Sequence, residues 1–466
     1  MIRIFGHYIP TKMLFLFGLE AVILIGSIYV GIALRFKDPF LGSGAFQSGA
    51  LGWQSVSFAS VMLIVMSTFG LYSADLPEGT GGMTIRLIIA FVIGAAIMSF
   101  VFYLLPALYL GRGAFGISWL TALVVIFALR VAMFRWIRLG MFNRRILVLG
   151  TGTRAVNVDL LVNRSSSTTS LHIVGFLPLM ATQHHVQPSR ILPAEDSVVA
   201  AVKKYAINEV IIAVRDRRGG GLPMEELLEC KLSGVKVTEL SSFYERERGQ
   251  LRIDSMNASW LVFGEGFRLN ALREIVKRAF DVIASIALLL VALPFVVVTA
   301  ILILLEDGAP VMYRQERVGQ GGKTFDILKF RSMGKDAEGD GKPRWATLKD
   351  DRTTRIGRII RKLRIDELPQ IFNVLRGEMS FVGPRPERPF FVNELAMQIP
   401  YYNARHSIKP GITGWAQVRY PYGASLEGAV EKLQYDLYYV KNHTLFLDIM
   451  ILFETVRVVL WGKGAR

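Results

Sequence analysis

Four apolar stretches fill the first third of the chain, about Lys12 to Leu34, Gly52 to Leu71, Ile85 to Leu108 and Gly116 to Met133. Each is close to the roughly 20 residues that carry a helix through the hydrocarbon of a bilayer. The pattern therefore predicts a bundle of four membrane-spanning helices within residues 1–140. A cleaved leader is not expected, because the first stretch lacks a small-residue cleavage site and three more spans follow. Basic residues set the orientation: Arg130, Arg135, Arg138, Arg144 and Arg145 cluster at and beyond the end of the fourth stretch, whereas the turn after the third carries only Arg112. By the positive-inside rule both ends of the bundle face the cytoplasm.

From Arg145 to about Asp254 the period changes to that of an α/β domain. Strands are predicted over Arg145 to Gly150, His172 to Leu177, Glu209 to Val214 and Val235 to Leu240, and helices over Thr153 to Asn163, Ser197 to Tyr205 and Met224 to Leu232. The first strand ends in Gly150-Thr-Gly152-Thr-Arg-Ala155, a G-x-G-x-x-A turn of the Rossmann-like kind that lets backbone approach phosphate. No convincing acid closes the second strand, where Gly175-Phe-Leu-Pro178 stands, and no Tyr-x-x-x-Lys pair is present. A regulatory or assembly role is expected for this domain, residues 145–254, rather than dinucleotide chemistry.

After a linker over 255–272 the chain opens a third region, 273–466. Arg273, Lys277 and Arg278 precede an uncharged apolar run from Val282 to Leu305. Length alone predicts a fifth span. Pro294 in its middle removes a helical hydrogen bond, and basic residues flank both ends, including Arg314 and Arg317. A crossing would also export everything downstream. The expectation is a proline-broken helix over about 278–306 that enters and leaves by the cytoplasmic leaflet.

Composition sharpens this picture. Hydrophobic residues make up 52% of the chain and charged ones only 20%, yet the net charge is +16, which suits anionic headgroups and phosphorylated ligands. Nucleic acid is not expected, since no groove-reading or base-stacking module is recognisable. Cys230 is the sole cysteine, and the six histidines show no HExxH or i, i+4 pairing. Disulfides and histidine- or cysteine-based metal centres are therefore not expected.

The densest chemistry lies in Arg361-Lys-Leu-Arg-Ile-Asp366-Glu367-Leu-Pro369-Gln370. Apolar residues at 356, 359, 360 and 363 predict one helix, and those at 368, 371, 372 and 375 a second that ends at Gly377. Asp366 is then expected at the N-cap of the second helix, with Pro369 in its first turn. A capping Asp followed by Glu is a common structural device. Surrounded by cations, the same acids also suit a docked pyrophosphate, with Asp366 kept ionised as a nucleophile and Glu367 sharing a Mg²⁺ with phosphate oxygens. Lys329-Phe-Arg331-Ser-Met333, expected after a strand over Thr324 to Leu328, and Gly383-Pro384-Arg385-Pro386 add turns that present cations to phosphate.

Together with Lys277-Arg278-Ala-Phe-Asp281, Lys409-Pro-Gly-Ile-Thr-Gly-Trp-Ala-Gln417 and Tyr435-Asp436 through Asp448, these motifs resemble the bacterial sugar transferases, the monotopic polyprenyl-phosphate phosphoglycosyl transferases. The likeness covers about Arg273 to Arg466, and the whole chain resembles the long-form members, with four spans and a Rossmann-like domain ahead of the catalytic one. The resemblance implies Asp366 as nucleophile on the sugar-linked phosphate, Glu367 as the Mg²⁺-associated acid, Arg361 as phosphate ligand, and Pro384 with Arg385 on the nucleotide side, with Lys329 and Arg331 contributing. Arg364 stands where members often carry Ser or Thr. It further implies a UDP-sugar, with glucose or galactose as the first guess, and polyprenyl (undecaprenyl) phosphate as substrates, membrane lipid as surroundings, a bacterial inner-membrane location with the catalytic domain cytoplasmic, and a role in starting exopolysaccharide or capsule assembly. Self-association is left open.

Two rival readings are a membrane-tethered sugar-nucleotide oxidoreductase or dehydratase and a non-enzymatic nucleotide-sensing scaffold. The missing Tyr-x-x-x-Lys pair weighs against the first and the intact acidic pair against the second. The segment Leu445 to Trp461 is read evenly as an interfacial helix or as one packed on the catalytic domain.

Overall fold

The computed structural model describes residues 1–36, 50–72, 79–138, 143–164, 171–179, 185–193, 197–214, 222–255, 267, 270–334, 352–420 and 425–461. Most of the expected linker over 255–272 lies outside them. The chain forms two compact units, one of Met1–Ile2 and Ile9–Phe243, the other of Arg3–Tyr8 and Tyr244–Arg466.

The first unit begins with four long helices, α1 (Thr11–Phe36), α2 (Ala50–Thr68), α3 (Gly79–Leu104) and α4 (Arg112–Arg138). All four are long and apolar enough to cross a membrane. Close packing comes from small residues: a side chain on Gly31 of α1 would collide with the backbone of Ala114 and Ser118 on α4, the kind of contact that holds helices together in lipid. One buried ion pair joins the same two helices. Arg130 Nε lies 2.6 Å from Glu20 Oε1, Arg130 also donates to Leu71 O at 3.0 Å, and Tyr72 donates to the Glu20 carboxylate. A charge this deep persists only when it is paired in this way.

The same unit continues into a four-stranded parallel sheet of β3 (Arg144–Leu149), β4 (Leu171–Leu177), β5 (Glu209–Ile212) and β6 (Lys236–Glu239), in the order β4-β3-β5-β6. Ile146 to Leu149 are fully buried, as expected of parallel strands covered on both faces. The helices between strands are α5 (Thr153–Arg164), α6 (Val198–Lys204) and α7 (Met224–Leu232), and α8 (Leu240–Arg248), which the periodicity did not predict, follows β6. Gly152 has open space where a side chain would stand.

The second unit opens with α9 (Ala271–Asp307), a 37-residue helix capped by Asn270. It continues through Pro294 as one helix, where the sequence had suggested a break. Its middle presents Leu290, Val291, Leu293, Phe295 and Val298 outward, while both ends are bonded into the unit. Near the start, Arg278 donates to Val374 O and Leu375 O at 2.5 and 2.7 Å. Asp281 accepts there from Ser380 Oγ at 3.0 Å and Phe381 N at 3.2 Å. At the far end Glu306 accepts from the backbone N–H groups of Arg355 and Ile356 at 2.8 and 3.0 Å, and Ile303 packs with Phe330 and Ile360.

Next come the antiparallel hairpin β7 (Met312–Val318) and β8 (Thr324–Phe330), then α10 (Arg355–Lys362), α11 (Gln370–Arg376), β9 (Ser380–Val382), α12 (Pro389–Gln398), β10 (Gly411–Thr413), α13 (Trp415–Arg419), α14 (Leu426–Asn442) and α15 (Leu445–Trp461). β9 and β10 pair in parallel. The α15 helix packs on this unit through Leu447, Asp448 and Ile451, all buried. Asp448 there accepts from Lys277 Nζ at 2.6 Å and Tyr439 OH at 2.5 Å, which favours the packed reading of that segment.

Candidate active site

Asp366 and Glu367 occupy a single 3-10 turn, Ile365–Glu367, entered through Arg364 in the left-handed region at φ 59. This corrects the expected N-cap. The residue capping α11 is Pro369, because the tight turn finishes at Glu367 and hands the helix start to the imino acid, whose missing N–H is no loss there. Lys329 likewise lies inside β8 rather than after it. The strand fixes its Cα, and Asn373 of α11 ties that strand down by donating to Asp326 O at 2.7 Å and accepting from Leu328 N at 3.0 Å. Gly377 at φ 86 ends α11 in the left-handed conformation that glycine adopts without strain.

Three cations converge on one oxygen. Glu367 Oε1 lies 3.2 Å from Lys329 Nζ, 3.1 Å from Arg385 and 3.7 Å from Arg364. Arg364, the residue that departs from the common Ser or Thr, is thus the third cation of this cluster. Lys329 and Arg385 hold the Glu367 carboxyl well below the usual range against the opposing pull of burial, with Arg364 adding to them. Lys329 itself is pushed down by burial although Glu367 works the other way, and Glu367 is the main cause of a raised Arg385.

Asp366 is the contrasting neighbour. Its side chain is buried at 9% exposure, and its Oδ1 has no hydrogen-bond partner. Burial raises its carboxyl above the ordinary value and the Glu367 charge raises it further, against Lys329, Arg364 and Arg361. One acid is therefore paired through one oxygen with three cations, and the other is held beside it, buried, with one oxygen unpartnered.

The Gly383-Pro384-Arg385-Pro386 turn is held backbone to backbone. Gly383 N donates to Thr413 O at 2.9 Å and Gly411 N to Pro384 O at 3.0 Å, so close that a Cβ on Gly383 would lie 2.4 Å from Lys409 O. Two arginines that the sequence did not assign to the site grip the next carbonyls: Arg405 donates to Arg385 O at 2.9 Å and Arg317 to Pro386 O at 3.1 Å. Arg405 is itself paired with buried Asp436 at 2.8 Å. These partners are 31 positions apart in sequence, so no local spacing reveals them. Arg317, Lys329, Gln370, Arg385, Pro386 and Gly411 line a small cavity of about 10 Å³.

The other expected residues divide. Arg361, whose guanidinium lies 3.4 Å from Thr353 Oγ1, is among the cations acting on Asp366. Arg331 donates through Nη2 to Asp307 O and Gly308 O at 2.9 and 2.6 Å and fastens the end of α9. Among the described residues no three His, Cys, Asp or Glu side chains gather as a metal site. Two successive carboxylates, one with an unpartnered oxygen, nevertheless fit a Mg²⁺ that takes its remaining ligands from substrate phosphates and water.

Comparison with known proteins carries the same assignment. Residues 272–462 match the bacterial sugar transferase family. The chain is 38% identical over 307 residues to the UDP-N-acetylgalactosamine-undecaprenyl-phosphate N-acetylgalactosaminephosphotransferase of Aeromonas hydrophila, covering 66% of this chain and 70% of the relative. It is 38% identical over 340 residues to the UDP-glucose:undecaprenyl-phosphate glucose-1-phosphate transferase of Escherichia coli, covering 71% of each. A shorter relative, the exopolysaccharide production protein PSS of Rhizobium leguminosarum, is 40% identical over 199 residues, which are 41% of this chain and 98% of that protein. With two long relatives each matched over more than two thirds of their length, and the acidic pair and its cations assembled in the matched region, the chain belongs to the bacterial sugar transferase family.

Proposed function

We propose that this protein transfers a hexose-1-phosphate from a UDP-sugar to undecaprenyl phosphate at the cytoplasmic face of the membrane, by a two-step route through Asp366. The observation that carries the reading is the unpartnered, buried Asp366 Oδ1 beside a Glu367 neutralised by Lys329 and Arg385. In the first step an Asp366 oxygen attacks the sugar-linked phosphorus, the phosphoanhydride bond breaks, and UMP leaves with the bonding pair. In the second, an oxygen of the polyprenyl phosphate attacks the same phosphorus, frees Asp366 and forms the lipid diphosphate sugar. Arg361, Lys329 and Arg385 bind phosphate oxygens, and the Pro384–Arg385 turn takes the nucleotide side. Glu367 with Asp366 would hold a Mg²⁺, which would supply charge neutralisation at the phosphates.

The lipid acceptor demands a site at the membrane surface, and α9 supplies a means of reaching it. Its apolar middle faces outward, while its start and end are bonded to the same unit. A helix that crossed the bilayer would put those ends on opposite sides, so this arrangement supports entry and exit by one leaflet. Cysteines placed near Ala279 and Gly321 are expected to label from the cytoplasmic side alone. Labelling from opposite faces would refute re-entry.

The relatives' names differ in the sugar, glucose in one and N-acetylgalactosamine in another. A screen of UDP-glucose, UDP-galactose and their N-acetylated forms with undecaprenyl phosphate, scored by UMP release and lipid product, tests the reading. Turnover of at least one donor is expected, and failure with all UDP-hexoses would contradict it.

A further inference from the structure

Residues 3–8 fall outside the unit that holds the four long helices. Arg3–Tyr8 form part of the second unit, as a small hairpin of β1 (Ile2–Ile4) and β2 (His7–Ile9). His7 is buried there at 6% exposure. Its Nδ1 shares a 2.7 Å hydrogen bond with Tyr438 OH, and its ring stands edge-on to Trp415 with centroids 5.5 Å apart. Trp415 stacks on Tyr438 at 6.0 Å, carries the Arg419 guanidinium 4.3 Å over its face and donates to Gly249 O at 2.7 Å. Beside this seat Phe5 meets Phe446 at 6.0 Å, and a Cβ on Gly6 would press on the Asn442 side chain. Burial pushes the His7 imidazole down to about 3, with Arg419 adding to the effect, so the ring in this seat is neutral at working pH.

The seat lies at the end of a continuous path to the site. Trp415 directly follows β10 and Gly414, and that segment is joined to the Gly383–Pro384 turn through Gly383 N to Thr413 O and Gly411 N to Pro384 O. Gly411 lines the same cavity as Lys329 and Arg385. We propose that residues 3–8 are a strap of the catalytic unit itself, with His7 as a positioning residue that fixes Trp415, the Gly411–Trp415 segment and, through it, the Arg385 turn. This rests on the transferase reading above. In this chain the strap makes residues 3–8 a support of the catalytic unit.

The test uses the full-length enzyme in detergent with a UDP-sugar that wild type turns over, so that failure of the activity assignment shows itself first in wild type. His7→Ala is expected to lower kcat/KM about 10- to 100-fold, the effect of an ångström-scale misplacement, and added imidazole, which fills the vacated seat, is expected to restore part of it. Tyr438→Phe removes only the hydrogen bond and is expected to raise KM for the UDP-sugar several-fold; it carries the test if His7→Ala does not fold. In a Cys230→Ser background, Phe5→Cys/Phe446→Cys is expected to show the same turnover before and after its two thiols are joined by a short bifunctional reagent, because the strap is seated during turnover. Wild-type kinetics in both His7→Ala and Tyr438→Phe would overturn the proposal. So would inactivation by the cross-link, which would mean that the strap has to leave.

Discussion

Asp366 and Glu367 are adjacent acids in one turn, and the structure predicts that removing their charges moves stability in opposite directions. Glu367→Gln leaves Lys329, whose side chain is 19% exposed, without its counter-ion at 3.2 Å. Arg385 and Arg364 are each 38% exposed, so solvent screens them and they add little. Breaking a buried pair costs about 3–5 kcal/mol, and the partial exposure of Lys329 places the loss near the low end, at about 3 kcal/mol. For a unit of this size that corresponds to a fall of about 6–12 °C in the midpoint of thermal unfolding. Asp366→Asn instead removes a buried carboxylate with an unpartnered oxygen and is expected to stabilise by about 1 kcal/mol. The folded state raises the Asp366 carboxyl above its unfolded value of 3.8, so the ionised group opposes folding. That penalty is complete above the folded value and vanishes as pH falls below 3.8. The gain from Asn should therefore be seen at neutral pH and disappear in acid, while activity is lost in both variants. Thermal unfolding of both variants at neutral and acid pH in detergent reads this directly, and equal destabilisation by the two substitutions would refute the electrostatic account.

Two further outcomes follow from the packing. Gly383→Ala should destabilise by about 1–3 kcal/mol through overpacking and reduce turnover, because the new Cβ would lie 2.4 Å from the Lys409 carbonyl; a stable, fully active variant would contradict the close approach. Glu20→Gln should cost about 3 kcal/mol or more by stranding Arg130, lowering the yield of assembled bundle, whereas the double change Glu20→Gln/Arg130→Met should recover much of it.

The elements that read well from sequence are those with a strong period or a length constraint. Lipid demands about 20 apolar residues per span, and the four stretches accordingly became α1 to α4 with ends shifted by a few residues. The apolar runs Ile146–Leu149 and Val210–Ile212 became buried parallel strands for a comparable reason. What did not read well depends on residues distant in the chain. Arg364 in the left-handed region turns an apparent N-cap into a 3-10 turn, and nothing in its residue type signals this. Arg331, part of an expected phosphate motif, also fastens the α9 terminus, a contact no local spacing reveals. Glu20 and Arg130, and Arg405 and Asp436, are pairs created by the fold. The strap at residues 3–8 has strands of three residues, too short to show a period.

The central claim is the covalent role of Asp366, and it is tested most directly by mass spectrometry of acid-quenched enzyme given UDP-sugar and Mg²⁺ without lipid acceptor. The account predicts a phosphohexose adduct on the peptide containing Asp366, formed with an equal amount of UMP and discharged when undecaprenyl phosphate is added. Robust lipid product from Asp366→Asn, or a modified residue elsewhere in the chain, would contradict it.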